Sequence, residues 1–382
     1  MNFSIPETVY CFQRKLLTKQ HFLPEIVDLI IYFTENPVTE LSLINKYFNY
    51  QVRRIRITSN DKYPHFCDEH LSLLPNLSEL YLSENDNITD EALSNLTNLR
   101  ILALNPYESS DLVLLNLTNL TDLSLYANET ITNNGISHLS KLTTLDLAWN
   151  ECISLKDYPY SSNLTNLDLS NNMIVVNGDL TNLFNLTSLR LDGNYNISYE
   201  ALSKLSKLTS LELYNNEVIT DEELSKMTNL TSLDLEENYS ITNRGISNLT
   251  NLTNLIVDET IFDSTISKLV KLTSLTIHNN TNITDKGISM LTNLTKLELE
   301  NENCISDQGI SALTNLTRLG LGTKFDINFE GISCLFKLRM VTIAGEKIMF
   351  NEENMKVINL LIDLKNKMGR NKIWSLAKLV LG

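Results

Sequence analysis

Cysteine is scarce, with five residues, Cys11, Cys67, Cys152, Cys304 and Cys334. The number is odd and the spacing suggests no disulfide framework, so an intracellular, cytoplasmic setting is expected. Long apolar runs are missing too. None approaches the roughly 18 residues of a membrane span. The first apolar stretch is broken by Glu7, Arg14, Lys15 and Lys19, so no secretory leader is expected. Basic charge is in short supply: 31 Lys and Arg face 46 Asp and Glu, a formal net charge of -15. That argues against nucleic acid as a partner, which needs clustered cations to neutralise phosphate, and against an anionic membrane surface. No phosphate loop, nucleophile elbow, His-Glu zinc helix or Cys-x-x-Cys pair occurs. The five histidines are too dispersed for a triad. Neither catalysis nor a cofactor is expected.

The acidity is uneven. Residues 1–60 carry about +2 and residues 346–382 about +3, which leaves about -20 between them. A neutral or basic protein is the partner expected for that middle region.

What the chain has in abundance is a repeat. Leu-x-x-Leu-x-Leu recurs with its first apolar residue at Leu77, Leu99, Leu120, Leu142, Leu164, Leu186, Leu208, Leu230, Leu252, Leu272, Leu294, Leu316 and Leu338. The step is 22 residues, except 21 after Leu99 and 20 after Leu252. Val52, Ile55 and Ile57 suggest an earlier, degenerate strand. Alternate residues of such a segment face one side of a short strand. Each turn then buries its apolar face only against its neighbours.

Asn recurs three residues after the last strand leucine, at Asn85, Asn128, Asn150, Asn172, Asn194, Asn216, Asn238 and Asn280. A buried amide can both donate and accept, so this column reads as a structural ladder. It lapses at Tyr107, Thr260, Glu302, Lys324 and Glu346, which predicts less regular later turns. Between strands runs Ile-Thr-Asp-x-Gly-Ile-Ser or a variant, with Asp90, Asp221, Asp285 and Asp307 placed to cap a short helix. Residues 152–162 and 173–181 depart most and predict irregular turns. Asn119, Asn229 and Asn293 fall in Asn-Leu-Thr tripeptides, a by-product of the repeat.

These repeats resemble the leucine-rich-repeat family over about three quarters of the chain. The resemblance implies an α/β solenoid, a horseshoe with its parallel β-sheet on the concave face. The expected domains are residues 1–51, 52–345 (the repeat array) and 346–382. The last carries Met355, Ile358, Leu361, Ile362 and Leu364 at helical spacing, as for a C-terminal cap.

Residues 22–52 resemble an F-box, which opens with Leu-Pro and an acidic residue and continues in two helices. Leu23, Pro24, Ile26, Ile30, Leu41, Leu43, Ile44 and Phe48 match that pattern. Pro24 and Glu25 are adjacent where the family usually has an intervening residue. The resemblance implies binding to a Skp-type linker protein and a role as substrate-recognition adaptor of a cullin-type ubiquitin ligase. The other reading of these residues is a plain helical cap on a stand-alone, monomeric binding scaffold, which includes a viral or bacterial effector acting inside a host cell.

The candidate ligand surface lies at the outward strand positions: Tyr126, Asp146, Trp149, Asp168, Arg190, Glu212, Tyr214, Asp234 and Glu236. Aromatic anchors amid charge mark binding hot spots, and carboxylates steer a basic partner. The same face also reads as a solvated acidic surface on which Arg190 relieves repulsion. Neighbouring carboxylates could approach glycosidase spacing, but an open sheet supplies no water-excluding pocket. His65, Cys67, Asp68, Glu69 and His70 cluster without any standard zinc spacing, so no metal is expected.

Overall fold

The computed structural model describes Arg54–Ile57 and residues 67–349, apart from residues 73, 84–86, 106–108, 157, 301, 324–325, 328 and 344–345. The F-box-like segment and the helices expected over 352–380 lie outside the described residues. The chain divides into two compact units, Met1–Leu164 and Thr165–Gly382.

In the first unit, β1 (Arg54–Ile57), β2 (Glu79–Leu82), β3 (Ile101–Leu104), β4 (Asp122–Ser124) and β5 (Thr144–Asp146) pair in parallel and in chain order. The second unit continues the same pattern with β6 (Asn166–Asp168), β7 (Ser188–Arg190), β8 (Ser210–Glu212), β9 (Ser232–Asp234), β10 (Asn254–Val257), β11 (Ser274–His278), β12 (Lys296–Glu300), β13 (Arg318–Leu321) and β14 (Met340–Ile343). β15 (Glu346–Met349) then pairs antiparallel with β14. Those four residues open the region read from the sequence as the C-terminal cap, ahead of the helices expected over 352–380.

Register follows from the leucine column. Leu167, Leu189, Leu211, Leu233, Leu255, Leu275, Leu297 and Leu319 stand opposite one another across successive strands. All are fully buried or nearly so. The 20-residue step leaves this register intact, since Leu255 still faces Leu275. Later strands are longer than earlier ones, with five residues in β11 and β12 against three in β6 to β9. The loss of regularity expected there therefore takes the form of extended pairing.

The buried Asn column is a ladder in fact. Asn216 donates from Nδ2 to the carbonyls of Leu191 (3.0 Å) and Asn194 (2.8 Å), and its Oδ1 accepts from the amides of Val218 and Ile219. Asn150, Asn194 and Asn238 repeat the pattern within their own units. The preceding residue is held at positive φ, at Ala127, Trp149, Asn171, Gly193, Asn215, Glu237 and Asn279. In the short turn, where Asn is absent, the buried Asp258 carboxylate accepts from the amides of Glu237 (3.0 Å) and Glu259 (3.2 Å).

The one-turn helices opposite the strands correct a sequence-based expectation. Asp90, Asp221, Asp285 and Asp307 are not the caps: Thr89, Thr220, Thr284 and Ser306 hold that place. Asp stands one position later and reaches into the next repeat. Asp221 accepts from the Thr242 amide (2.7 Å) and hydroxyl (2.5 Å), and Asp285 from the Ser306 amide (2.8 Å) and hydroxyl (2.6 Å). The motif's glycine follows from this bridge. A Cβ on Gly245 would stand 2.6 Å from Asp221 Oδ1, and one on Gly331 2.5 Å from Asp307 Oδ1. The departures expected at residues 152–162 and 173–181 are 3-10 turns, Ser161–Asn163 and Asn177–Leu180.

Two further ladders lie along the strand entrances. Thr209, Thr231, Thr253, Thr273, Thr295 and Thr317 each donate a hydroxyl to the carbonyl of the preceding threonine of the column. Asn119, Asn229 and Asn293, the Asn-Leu-Thr asparagines, donate Nδ2 to carbonyls of the preceding repeat.

Asn216→Ala should destabilise the protein by about 2–3 kcal/mol in urea unfolding, because it leaves buried carbonyls and amides unpaired. Asp221→Ala and Gly245→Ala should each cost about 1–3 kcal/mol. Their effects should combine to less than the sum by about 1 kcal/mol, because removing the carboxylate vacates the space the new methyl needs.

Candidate binding surface

The strands are three to five residues long, so each offers only one or two outward side chains. At the carboxyl ends of β6, β8 and β9 that side chain is acidic. Asp168, Arg190, Glu212 and Asp234 stand in adjacent register on β6 to β9. Arg190 is the hub. Its guanidinium lies 3.3 Å from Asp168, 3.1 Å from Asp192 and 3.0 Å from Glu212. Farther along, His278 Nδ1 lies 3.6 Å from Glu236 and 3.3 Å from Glu300. Lys296 pairs with Glu298 at 3.7 Å.

Arg190 and Lys296 do not balance the carboxylates of the face. Burial pushes the Glu212, Asp234 and Glu236 carboxyls above their ordinary range. The Arg190 charge pulls Glu212 back in part, the Glu236 amide acts so on Asp234, and His278 on Glu236. Asp234 is anchored by accepting from the Glu236 amide at 2.9 Å.

Aromatic side chains edge this acidic strip at the carboxyl ends of the strands. Tyr214 donates its hydroxyl to Glu237 at 2.6 Å, and this bond, with a smaller contribution from burial, pushes the phenol up to about 12. Tyr195 and Tyr239 are half-exposed or more and were not singled out from the sequence. Both occupy the position just after a ladder asparagine, and that register is the signal that would have found them. The charges of Asp258, then burial, then Glu237 and Glu259, hold the Tyr239 phenol above its usual value.

The remaining sequence-predicted residues, Tyr126, Asp146 and Trp149, belong to the first unit. Asp146 accepts from the Ser124 hydroxyl (2.6 Å) and the Ala148 amide (3.0 Å). Tyr126 is 42% exposed and Trp149 54%. Trp149 takes φ 57°, in a column that elsewhere holds Asn or Gly at four positions. A bulky residue is costly in that conformation, and such strain concentrates at functional positions.

His65 lies outside the described residues, among which no group of three or more His, Cys, Asp or Glu is placed to hold a metal ion. Cys67 Sγ and its backbone amide both lie 3.1 Å from His70 Nδ1, and His70 is buried. Asp68 accepts from the Thr89 amide and hydroxyl and so begins the Asp bridge series. No described helix is long and apolar enough to cross a membrane.

Residues 74–97, 138–156 and 226–249 match the family model described as Leucine Rich repeat. No curated protein matches the chain. Among solved structures, the one in a TLR13–ssRNA13 complex has 22% identity, covers 76% of this chain and 52% of its own, and superposes with a TM-score of 0.50. An internalin, inlF, from Listeria monocytogenes has 29% identity over 69% of this chain and 77% of its own, with a TM-score of 0.47. The Toll–Spatzle complex of Drosophila has 20% identity over 76% and 42%, with a TM-score of 0.48. The chain spans about half the length of the TLR13 chain. It carries leucine-rich repeats, and its architecture is the leucine-rich-repeat solenoid.

Asp234→Asn keeps the acceptor for the Glu236 amide and removes one charge. A carboxyl whose folded value is raised favours the folded state when protonated. That contribution is complete below about pH 4 and is lost as pH rises through the raised value. The substitution should therefore raise the melting temperature at about pH 7.5, and the gain should disappear near pH 4. Calorimetry at the two pH values checks this.

Proposed function

We propose that the chain is a non-enzymatic, cytoplasmic protein-binding module whose acidic strand face in the second unit takes a basic protein. The observation that carries this reading is the strip from Asp168 to Glu236, under-compensated by Arg190 and edged by the exposed Tyr195, Tyr214 and Tyr239. Nothing in the fold requires those tyrosines to be there, since the leucine and asparagine columns already hold the repeats together. Aromatic anchors inside a charged rim suit a hot spot, and the carboxylates would speed encounter with a cationic partner. Leucine-rich repeats commonly serve protein–protein interaction. The net charge of -15 disfavours a nucleic-acid ligand.

Within this reading, Leu23, Pro24, Ile26, Ile30, Leu41, Leu43, Ile44 and Phe48 would hold a Skp-type linker protein, and the repeats would select the substrate of a cullin-type ubiquitin ligase. The support is their match to the F-box pattern and the order of that segment before the repeats.

Two measurements test the reading. On a protein array, the full chain should select basic proteins, and Tyr195→Ala/Tyr214→Ala/Tyr239→Ala should weaken binding at least about tenfold with little change in melting temperature. Selection of acidic proteins, or unchanged binding by the triple variant, would contradict the face assignment. Separately, co-expression with a Skp-type linker protein should yield a complex with the wild type and none with Leu23→Asp/Ile30→Asp. Absence of any wild-type complex would leave a stand-alone scaffold.

A further inference from the structure

The helical side of the first unit contains one break in an otherwise continuous column. In most repeats the residue before the helix cap is a buried aliphatic, at Ile88, Ile131, Val175, Ile197, Ile219, Ile241, Ile261, Ile283 and Ile305. At one position it is Ser109, equally buried at 6% exposure. Its hydroxyl has no hydrogen-bond partner, the one buried side-chain oxygen or nitrogen among the described residues of which this is true. Serine also brings two heavy atoms fewer to that position than isoleucine would.

A second departure coincides with the first. At Asp68, Asp111, Asp221, Asp263 and Asp285 the bridging carboxylate uses both oxygens: Oδ1 accepts the next repeat's amide and Oδ2 its hydroxyl. Asp90 differs. Its Oδ2 takes both the amide (2.8 Å) and the hydroxyl (2.5 Å) of Ser110, and Oδ1 accepts nothing among the described residues. Ser109 and Asp90 line the same hollow, of about 630 Å³, together with Asp111, Thr130, Ile88 and Leu112. Leu112 is 60% exposed at this site.

The chemistry of that lining is specific. Two carboxylates give it negative charge, one with an unused oxygen. A buried hydroxyl lacks a partner. Ile88 and Leu112 supply an apolar wall. No cation lines it. A primary ammonium on an aliphatic stem answers each of these: its three N–H donors suit the carboxylate and the hydroxyls, and its methylenes suit the wall. We propose that this hollow is a binding site for an alkylammonium group, supplied by a lysyl side chain of a partner protein or by a free small amine. It stands apart from the acidic strand face and does not rest on the function proposed for that face.

The test is methyl NMR of the full chain, isotope-labelled at isoleucine and leucine. Titration with n-butylammonium should shift the Ile88 and Leu112 methyls, and n-butanol should do so at least about tenfold more weakly. Ser109→Ile, which restores the aliphatic column, should abolish the shifts without lowering the melting temperature. Asp90→Asn, which keeps an acceptor for Ser110, should weaken binding about tenfold. Should Ser109→Ile fail to fold, Asp90→Asn and the alcohol control still decide. Equal binding of the alcohol, unchanged affinity in Asp90→Asn, or no shift at all would overturn the proposal. Nα-acetyl-lysine amide binding at the same methyls as tightly as n-butylammonium would identify a lysyl side chain as the source. Binding of n-butylammonium alone would identify a free amine.

Discussion

In the described repeats the chain turns sharply after a three- to five-residue strand, and the turn points backbone amides and carbonyls into the stack. At Asn150, Asn194, Asn216 and Asn238 the buried asparagine amide pairs those groups. One side chain satisfies two amides of its own turn and two carbonyls of the repeat before it. Without it, those groups would be buried unpaired, at about 1–3 kcal/mol each. The leucine column supplies the apolar burial, but leucines are non-directional. The asparagines, with the aspartate bridges and the threonine hydroxyls, are what fix each repeat at one spacing and register relative to the last.

This division of labour explains where function can reside. The ladders occupy the interior of the turns, the helix starts and the strand entrances. The outward strand positions take no part in them and are free to vary, and there the second unit places Asp168, Glu212 and Asp234, with Tyr195, Tyr214 and Tyr239 just beyond the strands. The face is strained in a way the ladders are not: Glu212, Asp234 and Glu236 are partly buried against their own preference for water. Trp149, held at positive φ in the first unit, departs from structural economy in the same sense.

Much of the fold was legible because the repeat prints its constraints at a fixed period. Leucine spacing gave the strands and their register, and the recurrent Asn gave the ladder. The aspartates were misread as caps, since the cap rule is local whereas their real partners lie 20 or 21 residues on. Approaches such as Gly245–Asp221 and Gly331–Asp307 show why the motif pairs Asp with Gly. Of the candidate face, the acidic strip from Asp168 to Glu236 was evident from alternation along the strands. Tyr195 and Tyr239 were not, because they lie beyond the strand, in the turn. Ser109 was legible only against its column, and the 21-residue step of that repeat obscures the alignment.

The most direct test of the ladder's role is native-state hydrogen exchange of the full chain. The amides of Ile153, Ile197, Ile219, Ile241 and Ile283, each donated to a ladder asparagine, should be as strongly protected as the amides of the strands. Ladder amides that exchange far faster than strand amides would contradict the account, and would show that leucine packing alone holds the repeats in register.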